Sequence, residues 1–227
     1  NNLSSEEMWD FYTAVGLGQA PKIGFPGAVA GTVHPFQKWM PTDQARIAFG
    51  YGISASLFQV ARAYTVFARD GELVPLTIER SPDFKPGTRV LSAKTAIEMR
   101  AMLETVTEPG GTATKAQAEG FRVGGKTGTA HKLVGKGYGN KYRAYFVGLA
   151  PISAPRIVVA VMIDEPTGGS HYGGDVAAPV FSTIVSETLN NLNVLPDNKV
   201  KQMVLQDKNP EEIRTANVQM QQVVLKR

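Results

Sequence analysis

The chain has 227 residues, of which 43% are hydrophobic and 19% charged, so it can bury a sizeable core in one large or two small domains and is not wholly disordered. The net charge of +4 is spread without a dense basic block, which gives nucleic-acid binding little support. The absence of cysteine excludes disulfides and thiolate chemistry. The longest apolar run, residues 157–163, is far shorter than the roughly 20 residues of a membrane span.

Helices are predicted throughout the first half of the chain. Ser4 and Glu7 have the spacing of a capping box, so a first helix begins there and ends before Gly16. Residues 17–41 are rich in glycine and proline and predict an irregular segment. Further helices are predicted over residues 42–49, from Ser54 or Ser56 to about 69, over 93–106 after Ser92, and from Thr112 to about 118.

Apolar residues at helical spacing predict the buried face of each helix. In the helix that ends near residue 69, the predicted buried stripe begins at Leu57. In the helix over residues 93–106 it includes Ile97 and Met102. A last helix, over residues 176–192, is predicted to bury Val180 and Ile184 among others.

Strands are predicted between residue 120 and the last helix. They lie within residues 121–130, 142–149 and 156–163, and short turns between them favour antiparallel neighbours. The third strand is apolar throughout, which indicates that both of its faces are covered. The order of elements therefore predicts an α+β domain in which an antiparallel sheet is flanked by helices.

The best candidate for a site is Lys126-Thr127-Gly128-Thr129, on the first of these strands. Strand alternation sends Lys126 and Gly128 to one face and Thr127 and Thr129 to the other. Small residues let a ligand lie against the backbone, and the ammonium and hydroxyl groups are suited to holding a carboxylate. An ordinary edge strand with a solvated lysine would carry the same four residues, so the motif alone does not decide between the two.

Other kinds of site find little support. The three histidines, His34, His131 and His171, do not share the spacing of metal ligands, so no metal site is predicted. No glycine cluster fits a nucleotide-binding loop. Asp164 and Glu165 are adjacent at a strand end, where neighbours face opposite ways, so they predict no paired-carboxylate acid/base site.

Five ordered motifs, taken together, resemble those of the class B penicillin-binding proteins. They are Phe49-Gly50-Tyr51-Gly52 with residues 57–64, residues 106–112, Lys126-Thr127-Gly128-Thr129-Ala130, Asp164-Glu165-Pro166, and Tyr172-Gly173-Gly174 with residues 177–181. The third is similar to the KTG strand of penicillin-binding proteins and β-lactamases. The resemblance extends from about Glu6 to Leu195 and is strongest to the division-specific, septal transpeptidases of Gram-negative bacteria.

The resemblance implies a penicillin-binding, serine β-lactamase-like transpeptidase fold, with the active site between the sheet and a helical subdomain. It implies a peptidoglycan D,D-transpeptidase in which a serine is acylated by the stem peptide and the acyl group passes to an amine of a neighbouring stem. The implied partners are peptidoglycan stem peptides, β-lactam antibiotics and divisome proteins, with no cofactor and no metal. The implied location is the periplasm, in a protein anchored in the inner membrane.

Residue roles follow from the resemblance at matching positions. The implied catalytic residues are Lys126 and Thr129, and the implied substrate-binding residues are Thr127, Gly128, Thr129, Tyr172 and Gly173. Lys126 would place a positive charge beside the serine of a Ser-x-Asn motif, and the hydroxyls of Thr127 and Thr129 would hold the substrate carboxylate. The backbone N–H of Thr129 would be one donor of the oxyanion hole.

One departure from the family pattern concerns the nucleophile. The family uses a Ser-x-x-Lys and a Ser-x-Asn, and neither occurs in these residues. Thr112-x-x-Lys115 has the first spacing but lacks the serine and stands at the wrong place in the order, so we interpret it as fortuitous. We therefore expect residues 1–195 to be the C-terminal part of a transpeptidase domain that is inactive alone, and residues 196–227 to be a polar tail with a short strand or helix near 218–225.

Two alternatives stay open at this point. A serine β-lactamase-like hydrolase shares the KTG strand, although the long helical segment and the glycine-rich landmarks at residues 109–111 and 172–174 argue against it. A non-catalytic β-lactam-binding or divisome scaffold domain would keep the pocket without turnover.

Overall fold

A computed structural model describes residues 3–24, 26–78, 86–135 and 137–198. Apart from Asn198, these belong to one unit, Asn1–Asp197. The strand or helix predicted near residues 218–225 lies outside the described ranges. None of the helices within them is long and apolar enough to cross a membrane.

The helical part comes first along the chain. Its α-helices are α1 (Ser5–Ala14), α2 (Asp43–Ala48), α3 (Leu57–Ala68) and α4 (Ala93–Thr105), with short 3-10 helices at Phe36–Lys38 and Thr114–Ala116. Two small antiparallel ribbons accompany them, formed by β1 (Thr32–Val33) with β2 (Ile53–Ser54) and by β3 (Glu72–Leu73) with β4 (Thr88–Arg89).

The main sheet follows, and two helices close the domain. The sheet consists of β5 (Gly124–Val134), β6 (Gly137–Ala150) and β7 (Ile157–Asp164), in the order β5-β6-β7 and antiparallel throughout. The closing helices are α5 (Gly173–Val176) and α6 (Ala178–Asn191). Thr127 pairs with Phe146, which pairs with Val161, so the register across the sheet is continuous at the candidate site.

Helices cover both faces of the sheet. On one face, Phe181 of α6 meets Phe146 of β6 edge to face with 4.7 Å between ring centroids, and both rings are buried. On the other face, Leu149 packs with Leu103 of α4, and residues of α3 pack against the same cluster. The predicted α+β fold with an antiparallel sheet flanked by helices is therefore confirmed, as is the coverage of both faces of the third strand.

Serine caps fix the starts of three long helices as the sequence predicts. The hydroxyl of Ser4 accepts from the N–H of Glu7, whose carboxylate accepts from the N–H of Ser4 in return. Ser56, rather than Ser54, makes the same reciprocal pair with Gln59 at the start of α3. Ser92 caps α4. These signals are local, which explains why the sequence alone contains them.

The predicted buried faces of the helices are partly wrong. Leu57, Ile97, Met102, Val180 and Ile184, all predicted to be buried, are between 39% and 61% exposed. Two polar side chains are buried in α3 and α4 instead. Gln59 donates to the carbonyl oxygens of Gly16, Gln19 and Ala30, and Arg100 donates to the carbonyl of Phe67 and the carboxylate of Asp70. Because distant partners satisfy them, their burial cannot be read from apolar spacing.

The helix predicted from Thr112 is also wrong, since only the 3-10 turn Thr114–Ala116 forms there. Strands β5 and β6 extend beyond their predicted ends because the hairpin continues through polar residues that the apolar pattern misses.

At the end of the described chain, Asp197 binds back to the domain. Its carboxylate accepts from the N–H of Arg122 at 2.7 Å and from the hydroxyl of Ser153 at 2.7 Å. The division into residues 1–195 and 196–227 stays a prediction.

Candidate active site

Strand β5 begins with two glycines that let it pass close to its neighbours. A side chain at Gly124 would come within 2.9 Å of the backbone nitrogen of Glu104 in α4. A side chain at Gly125 would collide with the carbonyl of Val147 and with the ring of Phe146. The strand therefore enters the site pressed between α4 and β6, which fixes the position of the residues that follow.

Thr127 and Thr129 direct their side chains into a cavity of about 370 Å³. The residues lining it are Thr112, Thr127, Thr129, Tyr172, Gly173, Gly174 and Asp175. Gly128 lies on the other face of the strand, where a β-carbon added to it would lie 3.4 Å from the β-carbon of Tyr145. The predicted alternation along the motif is therefore present in the structure.

The ammonium of Lys126 lies beside the threonine on the next position. Its Nζ donates to the carbonyl oxygen of Thr127 at 3.0 Å and to Thr127 Oγ1 at 3.3 Å. Although its side chain starts on the opposite face, its long stem brings the charge to the edge of the strand. The ammonium of Lys126 and the hydroxyl of Thr127 thus lie together beside the cavity.

The turn at Tyr172-Gly173-Gly174 forms the opposite wall of the cavity. The N–H of Gly173 donates to Thr129 Oγ1 at 3.2 Å. A side chain at Gly173 would collide with the carbonyl of Tyr145, and one at Gly174 would collide with the carbonyl of Thr112. Both glycines are therefore needed for the close approach, while Tyr172, 60% exposed, forms the rim.

Aromatic rings continue from this rim. His171 stacks on Tyr142 with 3.8 Å between centroids and 16° between planes, and it contacts Tyr172 at 4.5 Å. His131 lies 4.4 Å from Tyr142. The rings of His131 and His171, which are far apart in the sequence, thus both contact the ring of Tyr142. Strand register brings His131 opposite Tyr142, and no sequence signal pairs Tyr142 with His171.

Five charged residues form a network near the end of β7. Lys132 Nζ lies 2.9 Å from Asp164 Oδ2 and 2.6 Å from Glu165 Oε1, while Arg143 pairs with Asp164 and Lys141 with Glu165. Hydrogen bonds from Lys132 are the main cause that lowers the pKa of both carboxyl groups. The expectation that these two side chains face opposite ways is wrong, because Glu165 has a φ of +51° just beyond the strand.

Thr112 lines the cavity and Lys115 contacts Asp175 in its wall, but Thr112 and Lys115 do not act on one another as a nucleophile and its activating lysine. Lys115 Nζ is 2.8 Å from Asp175 Oδ1, and Thr112 Oγ1 is 3.2 Å from Thr127 Oγ1. Hydrogen bonds from Lys115 and then from Ser170 lower the pKa of Asp175. Thr112 and Asp175 are site residues that the sequence reasoning missed, although Thr112 ends one of the five motifs.

The structure brings most of the predicted site residues together. Thr127, Thr129, Tyr172 and Gly173 line one cavity, Lys126 lies at its edge, and Gly128 faces away from it. In the part of the chain that the structure describes, no group of three or more His, Asp or Glu side chains is arranged to hold a metal ion. The catalytic and binding roles of these residues stay predictions.

Comparison with known proteins agrees with this geometry. The family model of the penicillin binding protein transpeptidase domain matches residues 1–186. The chain is 47% identical over 193 residues to the protein named "Probable peptidoglycan D,D-transpeptidase PenA" of Neisseria gonorrhoeae, covering 85% of this chain and 33% of that one. It is 38% identical over 196 residues to the peptidoglycan D,D-transpeptidase FtsI of Escherichia coli K12, covering 86% and 33%.

A solved structure shows the same fold. The transpeptidase domain of penicillin-binding protein 3 from Burkholderia pseudomallei, in its apo form, superposes with a TM-score of 0.81 at 57% identity, covering 86% of this chain and 60% of that one. The fold is therefore that of penicillin-binding transpeptidases. The chain belongs to the penicillin-binding protein transpeptidase domain family, and it spans about a third of the length of the two curated relatives named above.

Proposed function

We propose that this chain is part of a serine-type peptidoglycan D,D-transpeptidase that cross-links stem peptides in septal cell-wall synthesis. One observation carries the proposal: the hydroxyls of Thr127 and Thr129 enter a single cavity, and the ammonium of Lys126 lies 3.3 Å from Thr127 Oγ1 at its edge. The names of the relatives at 38–47% identity support the same activity.

The position of β5 suits an extended peptide substrate. Within the described residues β5 pairs with β6 along one edge, and its other edge is not paired with a strand. A stem peptide could add to that edge through backbone hydrogen bonds, as many peptide ligands do. Its terminal carboxylate would accept hydrogen bonds from Thr127 and Thr129, with the charge of Lys126 close by.

The proposed acyl transfer needs a nucleophilic serine in addition to the groups that this chain supplies. A serine oxygen would attack the carbonyl carbon of the penultimate D-alanine, the bond to the terminal D-alanine would break, and an amine of a second stem would take the acyl group. No Ser-x-x-Lys occurs in these 227 residues, so they do not supply that serine in the family pattern. They would supply Lys126 and the N–H of Thr129, which stabilises the oxyanion.

The remaining features fit this role. Tyr172 and Gly173 would form the rim against which the stem peptide or a β-lactam lies. Because peptidoglycan lies outside the cytoplasmic membrane, the site would act in the periplasm, in a protein anchored in the inner membrane. Divisome proteins would bring it to the septum.

A fluorescent penicillin tests the proposal. The full product of the gene that encodes this chain should acquire an acid-stable covalent label, and unlabelled penicillin should compete for it. The 227-residue chain alone should remain unlabelled. Failure of the full product to label would overturn the transpeptidase assignment. Rapid loss of the label would favour the hydrolase alternative, and stable label without cross-linking of stem peptides would favour the scaffold.

A further inference from the structure

Asp175 is an unexpected residue in a cavity that, under the proposed function, binds a carboxylate. Among the seven residues that line the cavity it alone carries a charge, and that charge is negative. At pH 7 its carboxylate would repel a ligand carboxylate held by Thr127 and Thr129, although water weakens that repulsion because the Asp175 side chain is 41% exposed. The cavity therefore needs a compensating charge close to Asp175.

Lys115 supplies that charge. Its Nζ lies 2.8 Å from Asp175 Oδ1, while the hydroxyl of Ser170 donates to the other carboxylate oxygen, Oδ2, at 2.8 Å. Both oxygens of Asp175 are thus occupied. The lowered pKa of Asp175, caused first by Lys115, agrees with a carboxylate held in the ionised form.

The pair also joins two segments that are far apart in the chain. Lys115 belongs to the 3-10 turn Thr114–Ala116, which closely follows Thr112. Asp175 belongs to α5, directly after Gly173 and Gly174. Thr112 and these two glycines all line the cavity. The ion pair is therefore built into the site and is not an isolated pair on a distant surface.

We propose that Lys115 is a positioning residue that acts through Asp175: it neutralises the carboxylate in the wall of the cavity and so allows the site to accept an anionic ligand. This inference rests on the proposed function, since the carboxylate of a stem peptide or of a penicillin is the anion concerned. Exposed ion pairs contribute little to folding stability, so the main effect of removing Lys115 should be on ligand charge selectivity.

The first test compares a fluorescent penicillin with its neutral methyl ester, using acylation rates of the full gene product. Lys115→Met should slow acylation by the acid about two- to fivefold, the range that corresponds to one ion pair in partial contact with water, and should leave the ester unaffected. Asp175→Asn changes a residue of the cavity wall and can alter both rates, but it should not lower the ratio of the acid rate to the ester rate. The double variant Lys115→Met/Asp175→Asn should recover the acid-to-ester rate ratio of the parent, because no uncompensated carboxylate remains.

A matched control is Lys94→Met, which removes an exposed lysine that is 3.9 Å from Glu98 on α4, away from the cavity. It should change neither rate. If Lys115→Met slows the acid and the ester equally, or if the acid-to-ester rate ratio of the double variant stays as low as that of Lys115→Met, the effect is not one of charge and the inference is overturned.

A second measurement separates this inference from the proposed function. Carbon-13 NMR titration of the 227-residue chain should show that Lys115→Met raises the pKa of Asp175. An unchanged pKa would overturn the inference whatever the labelling result. If the parent gene product is not labelled at all, the transpeptidase proposal fails, while the titration still decides whether Lys115 neutralises Asp175.

Discussion

The backbone N–H of Gly173 donates to the hydroxyl of Thr129 across 3.2 Å, which fastens the turn after β7 to the edge strand β5. This hydrogen bond thus joins the two opposite walls of the cavity, one formed by Tyr172-Gly173-Gly174 and the other by β5. The width of the cavity depends on this contact and on the absence of a side chain at Gly173. Substitution at this position should therefore alter the site more than the fold.

Gly173→Ala should slow penicillin acylation of the full gene product by about tenfold to 100-fold, since displacements near 1 Å at a reacting centre have effects of that size. The added methyl group would collide with the carbonyl of Tyr145 and lie 2.7 Å from the carbonyl oxygen of Gly128, so the turn must move away from β5. Stopped-flow acylation measures the rate. Gly168→Ala is a matched control in the same loop, where no heavy atom lies within 4 Å of the added carbon.

Lys126→Ala should slow acylation about 100-fold or more, because it removes a charge that acts where negative charge develops. Lys126→Arg should slow it less, since the charge is kept while the geometry changes. The same fluorescent-penicillin assay measures both variants. If the alanine variant acylates as fast as the parent, Lys126 has no part in the chemistry and the role assigned to the motif is wrong.

The features predicted correctly from the sequence are those that depend on near neighbours. The caps at Ser4 and Ser92 and the alternation of Thr127 and Thr129 involve residues three or fewer positions apart. The features that were missed join distant segments. Lys115 and Asp175 are 60 positions apart, and Tyr142 and His171 meet only after the sheet and the loop beyond β7 have formed.

Burial of polar side chains also depends on distant segments and is therefore not predicted from local sequence. Gln59 is 1% exposed because carbonyls 29 to 43 positions away accept from its amide. A pattern of apolar residues contains no sign of those carbonyls, so the prediction placed Leu57 in the core at the same end of the helix. Tertiary hydrogen bonding decided which face of α3 is buried.

Gln59→Leu should therefore destabilise the chain by about 2–4 kcal/mol, since each buried polar group left unpaired costs about 1–3 kcal/mol. The substitution keeps the approximate size of the side chain but leaves the carbonyls of Gly16, Gln19 and Ala30 without their donor. Urea denaturation of the 227-residue chain measures the change. Gln37→Leu, at an exposed glutamine, is the control and should change the free energy of unfolding little. Equal effects of the two substitutions would contradict the role assigned to Gln59.

The last prediction concerns pH and the charge network around Lys132. The pKa values of Asp164 and Glu165 lie below the ordinary values of 3.8 and 4.5, so their contribution to stability is present above those values and is lost as the pH falls through the folded pKa values. The pKa of Lys132 lies above 10.5, so its contribution is present below that value and is lost at higher pH. The lowered carboxyl pKa values set the lower limit and the raised pKa of Lys132 sets the upper limit. The charge network therefore stabilises the folded chain mainly between about pH 5 and pH 10.

Lys132→Met should therefore lower the free energy of unfolding mainly within that window. Parent and variant should converge as the pH falls below the folded pKa values of Asp164 and Glu165, where both carboxyl groups are protonated in the folded and in the unfolded chain. Urea denaturation series at several pH values measure the difference. High salt should reduce it, because the groups are in contact with water and their attraction is screened. A difference that stays the same from pH 3 to pH 8 would mean that Lys132 stabilises the hairpin through its aliphatic stem, and the electrostatic account of the network would then be wrong.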